Sequence, residues 1–398
     1  MNGLSLERVE ILLLVAAVVA LLARRFRLPY TVGLVVAGAV LALTGVLQGF
    51  TLTRELVFRA LLPPLIFEAA FFIRWKELRE NLKPVLALAT FGVALSTLII
   101  AGFMAWLGGW SFAAAAVFGA LIAATDPVSV IALFKEMKVG GRLRLLVEAE
   151  SLLNDGAAAV AFAFALAVVT SGGLTAVDGF VLILREVGGG VLCGAVTAGV
   201  MLLLAGTTEE HLVELTFSTL TAFGAFLLAE HFHCSGVLAV LTAGLMLGNL
   251  GPYGAISEAG RGAVGAFWEF AAFVANSIIF LLIGVREMTL GPKLVDEIPV
   301  IVLAIVGSQV ARAISVYGVC GTLHWTKSKV TWTHQHILFW GGLKGALSLA
   351  LVLSLPDNFP HRDQLQAAAF GVVAFSVIIQ GLTVPALMRK LGLAAQRP

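Results

Sequence analysis

The sequence predicts an all-α polytopic membrane protein of about thirteen transmembrane helices, and three observations carry that prediction. The chain of 398 residues is 59% hydrophobic and only 13% charged, with a mean hydropathy of +0.98. Its apolar runs are long and separated by short polar loops. Its lysines and arginines gather in alternate loops.

A hydrocarbon core about 30 Å thick needs roughly 20 helical residues per crossing. That template fits at 9–22, 30–47, 56–73, 84–107, 112–134, 145–170, 177–205, 212–228, 235–250, 266–285, 298–323, 333–355 and 365–388. The first run has Glu7, Arg8 and Glu10 at its start and Arg24, Arg25 and Arg27 after it. This reverses the charged-then-apolar order of a cleaved signal, so it is read as a retained helix. The fifth run contains Thr125-Asp126-Pro127, and proline cannot continue a helical hydrogen-bond ladder, so a break is expected beside the Asp126 carboxylate. The sixth holds Asn154-Asp155, and the eleventh has Arg312 in its middle. The twelfth holds Gly341-Gly342-Leu343-Lys344-Gly345, whose glycines each weaken a helix by about 1 kcal/mol relative to alanine.

Thirteen spans put the loops after odd-numbered spans on the side of the C-terminus. That side holds 17 of the 26 lysines and arginines, against five on the other. The positive-inside rule then places the N-terminus outside and the C-terminus in the cytoplasm, and the membrane is expected to be the plasma (inner) membrane. The spans divide as six, one and six. The fifth and twelfth, both interrupted, fall at equivalent positions of two inverted halves, and such pairs point to a transporter's binding site. Residues 1–398 are read as one transmembrane domain in which 112–170 and 298–355 contribute the core of the ion site, with no sizeable cytoplasmic tail.

The chemistry follows from cost. Acids at membrane depth are expensive and default to function. On a helix, Ser151 and Asp155 stand at i and i+4, so a hydroxyl and a carboxylate share one face and can offer oxygens to one small cation. Thr125 and Asp126 bring a second hydroxyl, a second carboxylate and carbonyls freed by the break. A desolvated carboxylate prefers a proton or a metal ion to standing bare, so one occupant excludes the other and the two ions exchange. Arg312 needs a counter-charge in hydrocarbon, for which Glu150 is the expected partner. Lys344 is expected to oppose either the C-terminal end of a half-helix or an acid.

Five ordered motifs carry a family resemblance. They are 62–69 with Phe67-Glu68-Ala69, 124–128 with Thr125-Asp126-Pro127, 150–156 with Glu150-Ser151 and Asn154-Asp155-Gly156, 273–284, and 341–346. In this order, over nearly the whole chain, they resemble the sodium/proton antiporters of the NhaP and NHE type, the electroneutral branch of the monovalent cation:proton antiporters. The resemblance implies an NhaA-like fold with inverted six-helix repeats and two crossed discontinuous helices, a core moving against a more rigid domain, and a homodimer. It adds Glu68 to the site of Asp155, Asp126, Ser151 and Thr125, and supports a Glu150–Arg312 pair. It sets Asn154, Glu150, Arg312 and Lys344 as a supporting polar network. Asn154 does not titrate, and the Asn-Asp pair implies one cation for one proton.

The expected cargo is therefore Na+ against H+, with Li+ or K+ as other cations. A monovalent-cation channel or a K+-selective cation/proton antiporter is the alternative, and an intramembrane aspartyl hydrolase with Asp126 and Asp155 sharing a proton is a third. A helix-backbone role for Ser151 and Thr125, and a structural hydrogen bond for Glu68, are the plainer readings of those residues. His231, His233 and Cys234, and likewise His324, His334 and His336, read as loop residues. No cofactor motif and no nucleic-acid motif is present, and the three cysteines have no metal-ligand spacing.

Overall fold

The computed structural model describes residues 6–26, 29–44, 53–205, 210–251, 256–326 and 328–393. Residues 45–47 of the second expected span, and Arg27, Lys327 and Arg397 of the basic count, lie outside the described residues, as does the end of the chain.

The helices in chain order are α1 (Leu6–Phe26), α2 (Tyr30–Thr44), α3 (Leu62–Phe72), α4 (Trp75–Glu80), α5 (Leu82–Ala87), α6 (Val93–Leu107), α7 (Phe112–Ala123), α8 (Val128–Glu136), α9 (Arg142–Thr170) and α10 (Ala176–Leu184). They continue as α11 (Gly190–Ala205), α12 (His211–His231), α13 (Gly236–Leu250), α14 (Glu258–Asp296), α15 (Ile298–Thr322), α16 (Trp332–Trp340), α17 (Ala346–Leu353), α18 (Arg362–Phe375) and α19 (Gly381–Lys390). π-Helical turns run into α3 (Leu56–Leu61) and join α5 to α6, α10 to α11 and α18 to α19, so each of these pairs is one continuous rod.

Among the described residues, seven rods are long and apolar enough to cross a membrane: Leu82–Leu107, Arg142–Thr170, Ala176–Ala205, His211–His231, Gly260–Arg286, Ile298–Thr322 and Arg362–Lys390. Four more apolar helices are shorter, Val9–Ala23, Tyr30–Thr44, Phe112–Ala123 and Gly236–Leu250. Phe112–Ala123 is short for a visible reason: Pro127 forces Asp126 out of helical geometry and ends the rod. The tenth expected span, 266–285, proves to be the middle of the much longer α14.

Packing divides the rods into two groups. In one, α2 lies along α14, α3 along α13, and α11, α12 and α13 pack on one another, with α1 against α2 and α14. The α2–α14 contact is close because Gly38 meets the Leu281 backbone and Gly284 meets the Val35 backbone, leaving no room for a Cβ at either. In the other group, α6 packs on α7 and α15, α7 on α9, and α18 on α15 and α17. Contacts between the groups are fewer and run through α9, α14, α17 and α18. The rod α10–α11 turns Phe180, Leu192 and Leu203 outward, as a helix facing hydrocarbon does.

Candidate functional site

Two broken helices meet in the second group. The chain leaves α7 at Ala124, passes Thr125 and Asp126 in extended form, and re-enters a helix at Val128. It likewise leaves α16 at Gly341 and resumes at Ala346. The breaks lie side by side, joined by an antiparallel bridge in which Asp126 N donates to Leu343 O at 2.7 Å.

Breaking two helices at membrane depth frees backbone groups that must find partners. Lys344 Nζ donates to Ala123 O at 3.3 Å and Ala124 O at 3.2 Å, placing its cation at the negative end of α7. Arg312 Nη2 donates to Leu338 O at 2.9 Å, and Gln380 Nε2 to Trp340 O at 3.1 Å, near the end of α16. Ser376 Oγ accepts from Lys344 N at 2.8 Å. Ser376 and Gln380 bound the π-helical turn between α18 and α19, the local widening that presents both side chains to the break. Asp126 Oδ1 accepts from Val128 N at 2.9 Å and so satisfies the first amide of α8. A Cβ on Gly345, at the start of α17, would run into the Asp126 carboxylate. Asp126 therefore sits against the positive ends of two half-helices, and glycine at 345 is what lets the second approach.

Beside the crossing, α9 presents two chemically different faces. On one, Arg312 Nη1 and Nη2 donate to Glu150 Oε1 and Oε2 at 2.8 and 3.0 Å. Asn154 Nδ2 donates to Glu150 Oε1 at 3.2 Å and Thr125 Oγ1 at 3.3 Å, and Thr125 Oγ1 bonds Ser151 Oγ at 2.9 Å. All five side chains are buried. Gly342 leaves the space that the Arg312 guanidinium occupies.

The other face carries Asp155, which is half-buried and turned into a cavity of about 1250 Å³. Asp126, Thr125 and Gly345 share its walls. The cavity lies between the two helix groups, since Tyr30, Glu68, Phe273 and Asn276 close it from the first. It reaches the surface at Arg74, Asn81, Gly140 and Ser328, in the loops following the third, fifth and eleventh expected spans. At this mouth Arg142 donates to Asn81 Oδ1 at 2.7 Å and to Lys329 O at 3.0 Å.

The expected residues thus separate. Asp126, Asp155 and Thr125 stand together in the cavity walls, and the charges bearing on Asp155 are those of Asp126, Glu150 and Lys344. Ser151 is not in the walls, and its hydroxyl turns to Thr125. Glu68 lines the same cavity, but its charged surroundings are Lys135, Glu148, Glu269 and Arg144 rather than the two aspartates. Asn276 and Ser348, also in the walls, were given no role from sequence. The signal was present: Asn276 is a polar residue within the apolar motif 273–284, and Ser348 follows Gly345 by three residues, on one face of a short helix.

Comparison with known proteins places this architecture. The family profile described as "Sodium/hydrogen exchanger, transmembrane" matches residues 12–390. The Na(+)/H(+) antiporter ApNhaP of Aphanothece halophytica is 40% identical over 99% of this chain and 76% of its own length. The low-affinity Na(+)/H(+) antiporter NhaS1 of Synechocystis is 37% identical over the same shares of each. In three dimensions the chain superposes on the sodium proton antiporter MjNhaP1 from Methanocaldococcus jannaschii with a TM-score of 0.78, covering 98% of this chain and 99% of that one at 20% identity, which establishes the likeness of fold. The chain therefore belongs to the transmembrane sodium/hydrogen exchanger family, a family of secondary transporters, and is an integral membrane protein.

Proposed function

We propose that this protein exchanges Na+ for H+, one for one, by alternating access, with Asp155 and Asp126 as the carboxylates for which the two ions compete. The observation that carries this reading is the cavity that reaches both carboxylates from one surface at the crossing of two broken helices. A bare carboxylate at that depth is costly, and a bound proton or a bound cation relieves the cost, so the site is occupied by one or the other. The relatives that match along nearly the whole chain are named as Na(+)/H(+) antiporters, which favours sodium as cargo.

Thirteen crossings, two of them broken, account for the helices and the loop charges together. With the basic loops in the cytoplasm, the N-terminus is outside and the cavity opens inward. Residues 112–170 and 298–355 supply the site, and the two helix groups are the bodies that move past each other, since the cavity lies on their boundary. Asn154 is neutral, so the Asn154-Asp155 pair supports an electroneutral cycle. The membrane is the plasma membrane, and the functional unit a homodimer, as the family resemblance implies.

Purified protein in liposomes with an acidic interior is expected to alkalinise the lumen on addition of external Na+, with Li+ and K+ tested in parallel. An imposed membrane potential should leave that rate unchanged. Cation flux with no pH change would sink the antiporter reading and leave a channel; a rate that follows the potential would sink the one-for-one cycle.

A further inference from the structure

The two hydroxyls expected from sequence as ligands are already engaged. Thr125 and Ser151 bond each other and Thr125 also receives Asn154, so a cation that used these hydroxyls would have to compete with existing bonds. Two other residues that line the cavity carry neutral oxygens that are not engaged. Asn276 Oδ1 and Ser348 Oγ are both buried and have no hydrogen-bond partner, their residues being 5% and 1% exposed. Unpartnered buried oxygens are destabilising and call for an explanation, such as an ion that binds there.

Their positions supply one. Ser348 lies one turn beyond Gly345, which abuts the Asp126 carboxylate, and i and i+3 share a helix face. Asn276 comes from α14 in the other helix group, and α14 contacts α17. Its neighbour Ser277 is held by Tyr30, whose Oη is 2.5 Å from Ser277 Oγ, while the Tyr30 ring stacks on Phe273 at 5.4 Å between centroids. Asn276 is thus carried on a locally fixed stretch of helix. Hard cations are held by oxygens, and carboxylates with amide and hydroxyl oxygens make a shell that carboxylates alone do not complete.

We infer that Asn276 Oδ1 and Ser348 Oγ complete the shell of the transported cation beside Asp126 and Asp155, one from each helix group, and that they set which monovalent cation is preferred. The inference rests on the cation-exchange reading above. It assigns the two residues to selectivity and affinity, not to proton exchange, because neither titrates. It also gives the cation a bond to both bodies at once, so that occupancy draws them together.

The test compares the parent with Ser348→Ala, Asn276→Ala and the double variant in the liposome assay, with Na+, Li+ and K+ each titrated. Loss of one neutral ligand is expected to raise KM for the preferred cation roughly three- to tenfold, leave kcat within about twofold, and change the ratios of KM among the three ions. KM values that stay the same, or that move by one common factor with a falling kcat and a lower melting temperature, would overturn the inference and make both residues structural. A second readout separates this inference from the function itself: thermal stabilisation of detergent-solubilised protein by each chloride salt. If the parent exchanges no protons yet is stabilised selectively, and the variants lose that selectivity, the exchange reading falls while the ligand assignment stands. If the parent exchanges and all variants keep its ion order in both readouts, the ligand assignment alone falls.

Discussion

The two faces of α9, only one residue apart in sequence, are opposite in character. Glu150 and Asn154 sit in a buried network in which Arg312, Thr125 and Ser151 are hydrogen-bonded to them or to one another. Asp155 faces a cavity, with Asp126 in the same walls. Both faces carry acid at membrane depth. One acid is neutralised by a fixed bidentate guanidinium, and the other is left for something that comes and goes. The lesson is that a buried charge paired within the protein stabilises a conformation, while a buried charge facing a cavity is available to cargo.

That contrast can be broken by experiment. The largest effect on transport belongs to Asp155→Asn, which keeps shape and removes the charge: exchange in liposomes should disappear while the protein elutes and melts as the parent does. Coupled exchange that persists in this variant would remove Asp155 from the site. The largest effect on stability belongs to Arg312→Met, which leaves Glu150 charged, buried and unpaired and should cost about 3 to 5 kcal/mol, read as a collapse of the melting temperature. Adding Glu150→Leu to it should recover much of that loss. If Arg312→Met melts as the parent and only transport fails, the pair is functional rather than structural, and the contrast is wrong.

Smaller effects sharpen the picture. Gly345→Ala puts a methyl group against the Asp126 carboxylate, and overpacking of this kind costs about 1 to 3 kcal/mol. Exchange should fall roughly tenfold or more with the helices still formed, as judged by circular dichroism. Lys344→Met removes the donor from the Ala123 and Ala124 carbonyls at the end of α7, and should lower stability by about 1 to 3 kcal/mol. Lys344→Arg, which keeps the charge, should recover most of it. Least affected should be Ser151→Ala, which loses one neutral hydrogen bond worth about 0.5 to 1.5 kcal/mol and no wall of the cavity. A large rise in the cation KM of Ser151→Ala would show that its hydroxyl turns to the ion during the cycle.

Helix breaks were legible because their causes are local. Pro127 has no amide hydrogen and restricts Asp126, and three glycines in five residues weaken a helix wherever they occur. The class of protein was legible because lipid imposes one length and one composition on every crossing. The count of crossings was less so, since a rod that is broken, as α7 is before Pro127, no longer meets a length template. The expected ligands do not all meet in the cavity walls, because a shared helical face is not by itself a site. Ser151 and Asp155 share a face by their spacing, but that face is broad, and Thr125 takes the Ser151 hydroxyl while Asp155 turns to the cavity.

The sequence by itself determined that the chain is helical and membrane-embedded, that two of its helices break, and that acids and hydroxyls stand at those depths, because each of these depends on residues near one another along the chain. Only the tertiary structure decided that the two breaks touch, that Lys344 closes the end of α7, that Glu68 keeps company with Lys135 and Glu269 instead of the aspartates, and that Asn276 reaches the cavity from the opposite helix group. These are contacts between segments far apart in the chain, fixed by how whole helices pack. No local pattern of residues encodes them.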